Sequence, residues 1–106
     1  MYKVEVVEDA VDELAKIRVF DRNLILSEIK KRLSRDPVSP TRRRKRLDNL
    51  VPTFEANPPV WELRVADWRV FYDVDEADRI IWVRAVRFKP PEKRTEELAV
   101  HLRGIL

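Results

Sequence analysis

The stretch "WELRVADWRVFYDVDEADRIIWVRAVRF", residues 61–88, decides the fold. In its first segment Trp61, Leu63 and Val65 alternate with Glu62 and Arg64, the period-two pattern of a strand with one buried face. After a corner at Ala66-Asp67, Trp68, Val70, Tyr72 and Val74 fall opposite Arg69, Phe71 and Asp73. "DEAD", residues 75–78, turns the chain into "RIIWVRAVRF". That segment is apolar at nearly every position and predicts a central strand flanked on both faces. Three strands joined by short corners form an antiparallel meander, which needs a cover on at least one face.

The N-terminal third supplies that cover. "YKVEVV" alternates Tyr2, Val4 and Val6 against Lys3 and Glu5 and predicts a first strand. From about Glu8 the period changes, and Val11, Leu14, Ala15 and Arg18 share one face of a short helix with acids in its first turn. Asp21 is the expected N-cap of a second helix, whose apolar stripe is Ile25, Leu26, Ile29 and Leu33. The prolines of "SRDPVSP", residues 34–40, end it. A long connection, about residues 36–59, leads to the meander, and residues 92–103 read as a short C-terminal helix or tail. The expectation is one α+β domain over residues 1–106: strand, helical hairpin, then a three-stranded antiparallel meander packed on the helices.

Composition narrows the chemistry. The chain has 106 residues and no cysteine, which excludes a disulfide framework, a thiol nucleophile and thiolate metal sites. Its single histidine, His101, excludes the histidine clusters of zinc and iron sites and reads as a surface or packing residue. Walker and dinucleotide signatures are missing. Asp73, Asp75, Glu76 and Asp78 cluster around the hairpin turn and read as solvated acids rather than a metal site. No cofactor or metal is expected. With neither a signal peptide nor an apolar run of the length a membrane span needs, the expected setting is cytoplasmic, without membrane attachment.

The net charge of +3 is unevenly placed. Residues 1–41 are balanced and residues 52–106 slightly acidic, so the run Arg42-Arg43-Arg44-Lys45-Arg46 carries the whole basic excess. A localised excess of this kind suits a polyanion contact. On the strands, Arg64, Arg69, Arg87 and Lys89 project from the polar side. Adjacent antiparallel strands would bring them onto one concave face, where like charges about 5 Å apart repel unless an anion sits among them. The alternative is a set of rim arginines, each paired with an acid such as Glu62, Asp67 or Asp73.

"WELRVADWRVFYDVDE" followed by "IIWVRAVRFKPPEKRTEE" resembles the RelE/ParE toxin superfamily of toxin–antitoxin modules, closer to its RelE-like branch. The family's usual glycine is Ala66 here and its usual tyrosine is Trp68. The order of elements also matches, so the resemblance covers nearly the whole chain. RelE-like members are ribosome-dependent mRNA endoribonucleases, while ParE-like members inhibit DNA gyrase. Carried over, the resemblance makes Arg69 the main phosphate clamp, supported by Arg64 and Lys89, with Arg87 beside them. The second basic position of the first meander strand holds Glu62, an acid that could act as a base or neutralise Arg64. The family's C-terminal tyrosine position falls near Thr95.

Such an enzyme needs no metal, because the RNA 2′-OH is the nucleophile and fixed cations stabilise the transition state. The resemblance further implies a cognate antitoxin as partner, with the ribosome and mRNA as target and the 42–46 run as a grip on RNA backbone. The alternatives are a gyrase inhibitor without enzymatic activity, or a non-toxic scaffold that only binds an antitoxin.

Overall fold

The computed structural model describes residues 1–90, and in it the meander forms as its alternation requires. Strands β3 (Val60–Val65), β4 (Trp68–Asp75) and β5 (Ile80–Phe88) are antiparallel neighbours. Two further strands extend the sheet. β1 (Lys3–Val6) pairs in parallel with β5, and β2 (Arg44–Leu47) pairs antiparallel with β3, giving the order β1-β5-β4-β3-β2. The near-continuous apolar pattern of β5 follows from this central position.

One face of the sheet carries helix α1 (Glu8–Ala15) and helix α2 (Val19–Leu33). Trp61, Leu63, Val65, Val70 and Tyr72, the apolar set of the alternation, pack there against Leu14, Ile25, Ile29 and Leu33. Each such side chain contributes roughly 1.5–3 kcal/mol on burial. The Tyr72 hydroxyl donates to the Pro37 carbonyl, fastening the sheet to the segment that leaves α2.

The opposite face has a cover of its own. Residues 48–59 fold back across it, and Leu47, Val60, Phe71 and Ala85 form a second small core with Leu50, Phe54 and Ala56. Asp73 anchors that segment by accepting from the Asn57 amide (2.9 Å) and from Arg84 in a two-point pair (2.8 and 3.2 Å).

Three expectations need correction. Residues 36–59 are not one long connection, because the basic run enters the sheet as edge strand β2. The buried face of α1 is Ala10 and Leu14, continued by Ile17, whereas Val11 is half exposed and Ala15 and Arg18 face solvent. The chain bends after Ala15, so the helical period does not extend to Arg18. Helix α2 begins at Val19, which puts Asp21 inside the first turn. Asp21 caps no amide and pairs instead with Arg18 (3.2 Å). The short helix expected at 92–103, with Thr95 and His101, lies outside the described residues. Among the described residues no helix is long and apolar enough to cross a membrane.

Candidate functional site

Antiparallel register decides which charged side chains share a face. Arg64 pairs with Arg69, and Arg69 pairs with Arg87. On the other flank the Arg64 amide donates to the Arg43 carbonyl (2.7 Å), continuing the β2–β3 register by one residue. Arg43, Arg64, Arg69 and Arg87 therefore form one row across the sheet, at the margin of the second core. Lys89 follows Arg87 by two residues and its amide donates to the Asp67 carbonyl (2.7 Å), closing the same end of the meander. The structure thus brings Arg64, Arg69, Arg87 and Lys89 to one end of one face.

The row is uneven in charge compensation. Arg69 is 7% exposed. One terminal nitrogen donates to the Ala66 and Trp68 carbonyls (2.9 and 2.8 Å), so the guanidinium braces the tight turn between β3 and β4. Glu62, 2% exposed, lies one rung inward with a carboxylate oxygen 3.8 Å from the Arg69 Nε. That separation gives charge attraction without a hydrogen bond. Glu62 Oε2 and Arg69 Nε accordingly have no hydrogen-bond partner among the described residues. Burial pushes the Arg69 guanidinium below the usual arginine value, Glu62 opposes this and neighbouring Arg64 adds to it. A guanidinium starts so high that it stays cationic at neutral pH.

Arg87 is compensated from outside the sheet. Its Nε lies 2.5 Å from Glu13 Oε2, and its guanidinium also lies over the Phe54 ring. Glu13 reaches this point from α1 and accepts from the Val86 amide as well (2.9 Å). Burial raises the Glu13 carboxyl above the usual range, while the Val86 amide and Arg87 pull it back down.

Arg42, Arg43 and Arg64 differ from these. All are exposed and have no acidic partner among the described residues. With Ala66 they line a cleft of about 510 Å³. Alternation within β2 divides the rest of the basic run. Arg44 turns toward the helices and donates to the Arg32 carbonyl at the end of α2 (3.0 Å). Arg46 pairs with Asp48. Lys45, opposite Glu62 in register, stays exposed.

The acids of the hairpin turn separate. Asp73 is buried against Arg84, Asp75 accepts the Asp78 amide, and Glu76 accepts from the Tyr2 hydroxyl. Sequence reading missed two features here. Arg84 looked like one more charge in an apolar strand, yet it sits at the irregularity where β4 and β5 slip register, which turns it to Asp73. The pairing of Arg43 with Arg64 was hidden because "RRRKRL" has no apolar alternation. Leu47 was its single apolar signal.

The fold, a helical hairpin on one face of a sheet ending in a basic meander, is that of the RelE/ParE type of toxin from toxin–antitoxin systems. Residues 4–88 match the family model described as "ParE toxin of type II toxin-antitoxin system, parDE", and the chain belongs to that family. Among solved structures it is similar to RelE of the archaeal RelE–RelB complex from Pyrococcus horikoshii, with 20% identity and a TM-score of 0.65 over 85% of this chain and 97% of that one. It is similar to the RelBE2 toxin–antitoxin complex from Mycobacterium tuberculosis, with 19% identity and a TM-score of 0.67 over 83% of this chain and 98% of that one. The isolated Escherichia coli RelE toxin aligns over the full length of both chains at 16% identity and a TM-score of 0.57. At these identities the likeness is one of fold. No curated protein matches the sequence significantly.

Proposed function

We propose that this toxin arrests translation as a ribosome-dependent mRNA endoribonuclease and that a cognate antitoxin neutralises it. The observation that carries the reading is the row Arg43–Arg64–Arg69–Arg87 with Lys89 at its end, cations in register on one face of a rigid sheet. Cross-strand like charges repel, and an anion held among them removes that cost. The substrate supplies the nucleophile. Its 2′-OH attacks the adjacent phosphorus, the bond to the 5′ oxygen breaks, and the products are a 2′,3′-cyclic phosphate and a 5′-hydroxyl.

Arg64, exposed at the head of the row, contacts the phosphate and stabilises the charge that builds on its oxygens. Arg69 contributes positive charge from behind it and holds the turn in place. Lys89 and Arg87 extend the positive charge of the row beyond Arg69. Glu62 is enclosed beside Arg69 in this conformation, so its part is electrostatic, moderating the charge of the row. The solved complexes of RelE with RelB support an antitoxin as partner.

The second reading, a gyrase inhibitor, is favoured by the ParE family match and by the internal compensation of Arg69 and Arg87. Paired assays separate the two. Purified toxin added to a translation extract stops protein synthesis and leaves gyrase supercoiling intact on the first reading. Loss of supercoiling with translation intact would establish the second.

A further inference from the structure

The two edges of the sheet are guarded differently. At one, β2 carries three cations in four residues, which repel a second copy of the same strand. At the other, β1 reads Lys-Val-Glu-Val, with one charge of each sign, no proline and no break in its register with β5. The Lys3 and Val7 amides donate inward, to the Arg79 and Val83 carbonyls (2.9 and 3.1 Å). By alternation the main-chain groups of Val4 and Val6 point out of the open edge, where no strand among the described residues pairs with them.

An apolar groove runs along this edge on the helix side. Two hollows, of about 380 and 310 Å³, share Val6 and Leu26 and form one channel bounded by β1, α1 and the flank of α2. Met1, Val11 and Leu26 line it and are large apolar side chains left exposed. We infer that a second copy of this chain covers the edge, its β1 pairing antiparallel with this β1 about a two-fold axis at Val4.

Charge and register select that partner. With Val4 opposite Val4 of the second copy, Lys3 falls opposite Glu5 of the copy, and Glu5 opposite its Lys3. The next registers on either side set Glu5 against Glu5 or Lys3 against Lys3, and opposed like charges destabilise a pair. Both head groups lie on one exposed face, 2.9 Å apart within the strand, so each already stands where the exchange needs it. A strongly acidic segment would meet Glu5 beside every contact with Lys3. The edge is matched to its own copy.

The main chain agrees. The two outward-pointing Val4 residues exchange a pair of hydrogen bonds, and each Val6 amide reaches the Tyr2 carbonyl of the copy. The Tyr2 amide is already bound to the Ser34 carbonyl (2.8 Å), which pins the strand to the end of α2. Cross-strand neighbours share a face, so both helical layers lie on the same side and the two grooves meet over Val4 and Val6. The contact is isologous and closes after two copies. Arg43 and Arg64 lie toward the opposite edge, so the pairing holds whether or not the toxin cleaves RNA.

Sedimentation equilibrium of antitoxin-free toxin, from about 1 µM to about 1 mM, spans the affinities of moderate and weak dimers. The mass should rise from 12.7 kDa toward twice that value. Val4→Pro removes an outward amide that the pairing with β5 does not use, and it should hold the protein monomeric. Lys3→Glu should weaken the dimer about tenfold or more. Adding Glu5→Lys to it should restore association, because opposite charges again face each other across the axis. Circular dichroism and a thermal melt check that each variant is folded.

The chain has no cysteine, so Val4→Cys reports the register directly. Its thiols meet across the axis at a Cα separation of about 5.5 Å and should form a disulfide-linked dimer on mild oxidation, whereas those of Glu5→Cys lie too far apart. A toxin that stays at 12.7 kDa throughout the series overturns the inference. So does a dimer that folded Val4→Pro and Lys3→Glu leave intact. A Val4→Cys thiol that stays free in the toxin alone and is shielded only when antitoxin is added would assign the edge to the antitoxin, and overturns it too.

Discussion

Ala66 sits in the left-handed region, at φ 51, where the β3–β4 corner needs it. A residue with a Cβ is strained there by roughly 1–2 kcal/mol, and glycine relieves this at an entropic cost of about 0.5–1 kcal/mol. Ala66→Gly should therefore stabilise the fold by about 0.5–1 kcal/mol, read as a higher midpoint in urea unfolding. The corner was legible as a turn, but its φ was not, because alanine signals no left-handed residue. At the same scale, Glu13 offers a titration test. Burial raises its carboxyl while Arg87 and the Val86 amide lower it. Its folded value lies above the unfolded one, so its contribution to stability is full below the ordinary carboxylate range and fades as pH rises through the raised value. Arg87→Ala removes a counter-charge and should push the Glu13 titration further up, measured by carbon NMR of the side-chain carboxyl. The sequence could place Arg87 in the row, but not its partner, which comes from 74 residues upstream on another element.

Among the elements, the three meander strands were readable because their alternation fixes a face, and a slip of one residue would turn Trp61, Leu63 and Val65 to the wrong side. Strand β2 was not. Three of its four residues are charged, as suits an edge that must resist pairing with other chains, and its register comes from β3 rather than from its own pattern. Helix α2 was placed from Ile25, Leu26, Ile29 and Leu33, of which Leu26 is exposed in the structure, and its start was misjudged, because Asp21 answers to Arg18 instead of capping an amide. What fastens β2 and its approach to the helices is side-chain to carbonyl bonding, from Arg44 to Arg32 and from Tyr72 to Pro37. Tyr72→Phe leaves the Pro37 carbonyl without that donor and should cost about 1–3 kcal/mol in urea unfolding, with the sheet intact by circular dichroism. Burial also lifts the Tyr72 phenol far above its ordinary value, and the bond to Glu76 raises that of Tyr2. With two tyrosines in the chain, the ultraviolet titration should show no phenolate step at the ordinary tyrosine value.

For the molecule as a whole, two faces of one sheet divide the work: the helices and the larger core build the scaffold, and the other face carries the smaller core with the arginine row at its margin. Of the row, Arg64, Arg69 and Arg87 could be anticipated from alternation in β3, β4 and β5, but Arg43 could not. Its division into compensated and uncompensated arginines could not, since Glu62 and Glu13 act through burial and long-range packing. The resemblance singled out Arg69 as the phosphate clamp. The geometry makes Arg64 the arginine that meets solvent and gives Arg69 the turn to hold. Toxicity should follow the same division. Arg64→Ala is expected to lower cleavage about 10²-fold or more, the scale for losing one preorganised contact to transition-state charge, with its melting temperature unchanged. The most direct measurement maps new mRNA 5′ ends after purified toxin is added to translating ribosomes, beside a ribosome-free control. The proposed cleavage gives ends within codons at the decoding site, only when ribosomes are present, and nearly none in Arg64→Ala. Folded, antitoxin-free toxin that produces no ends would contradict it.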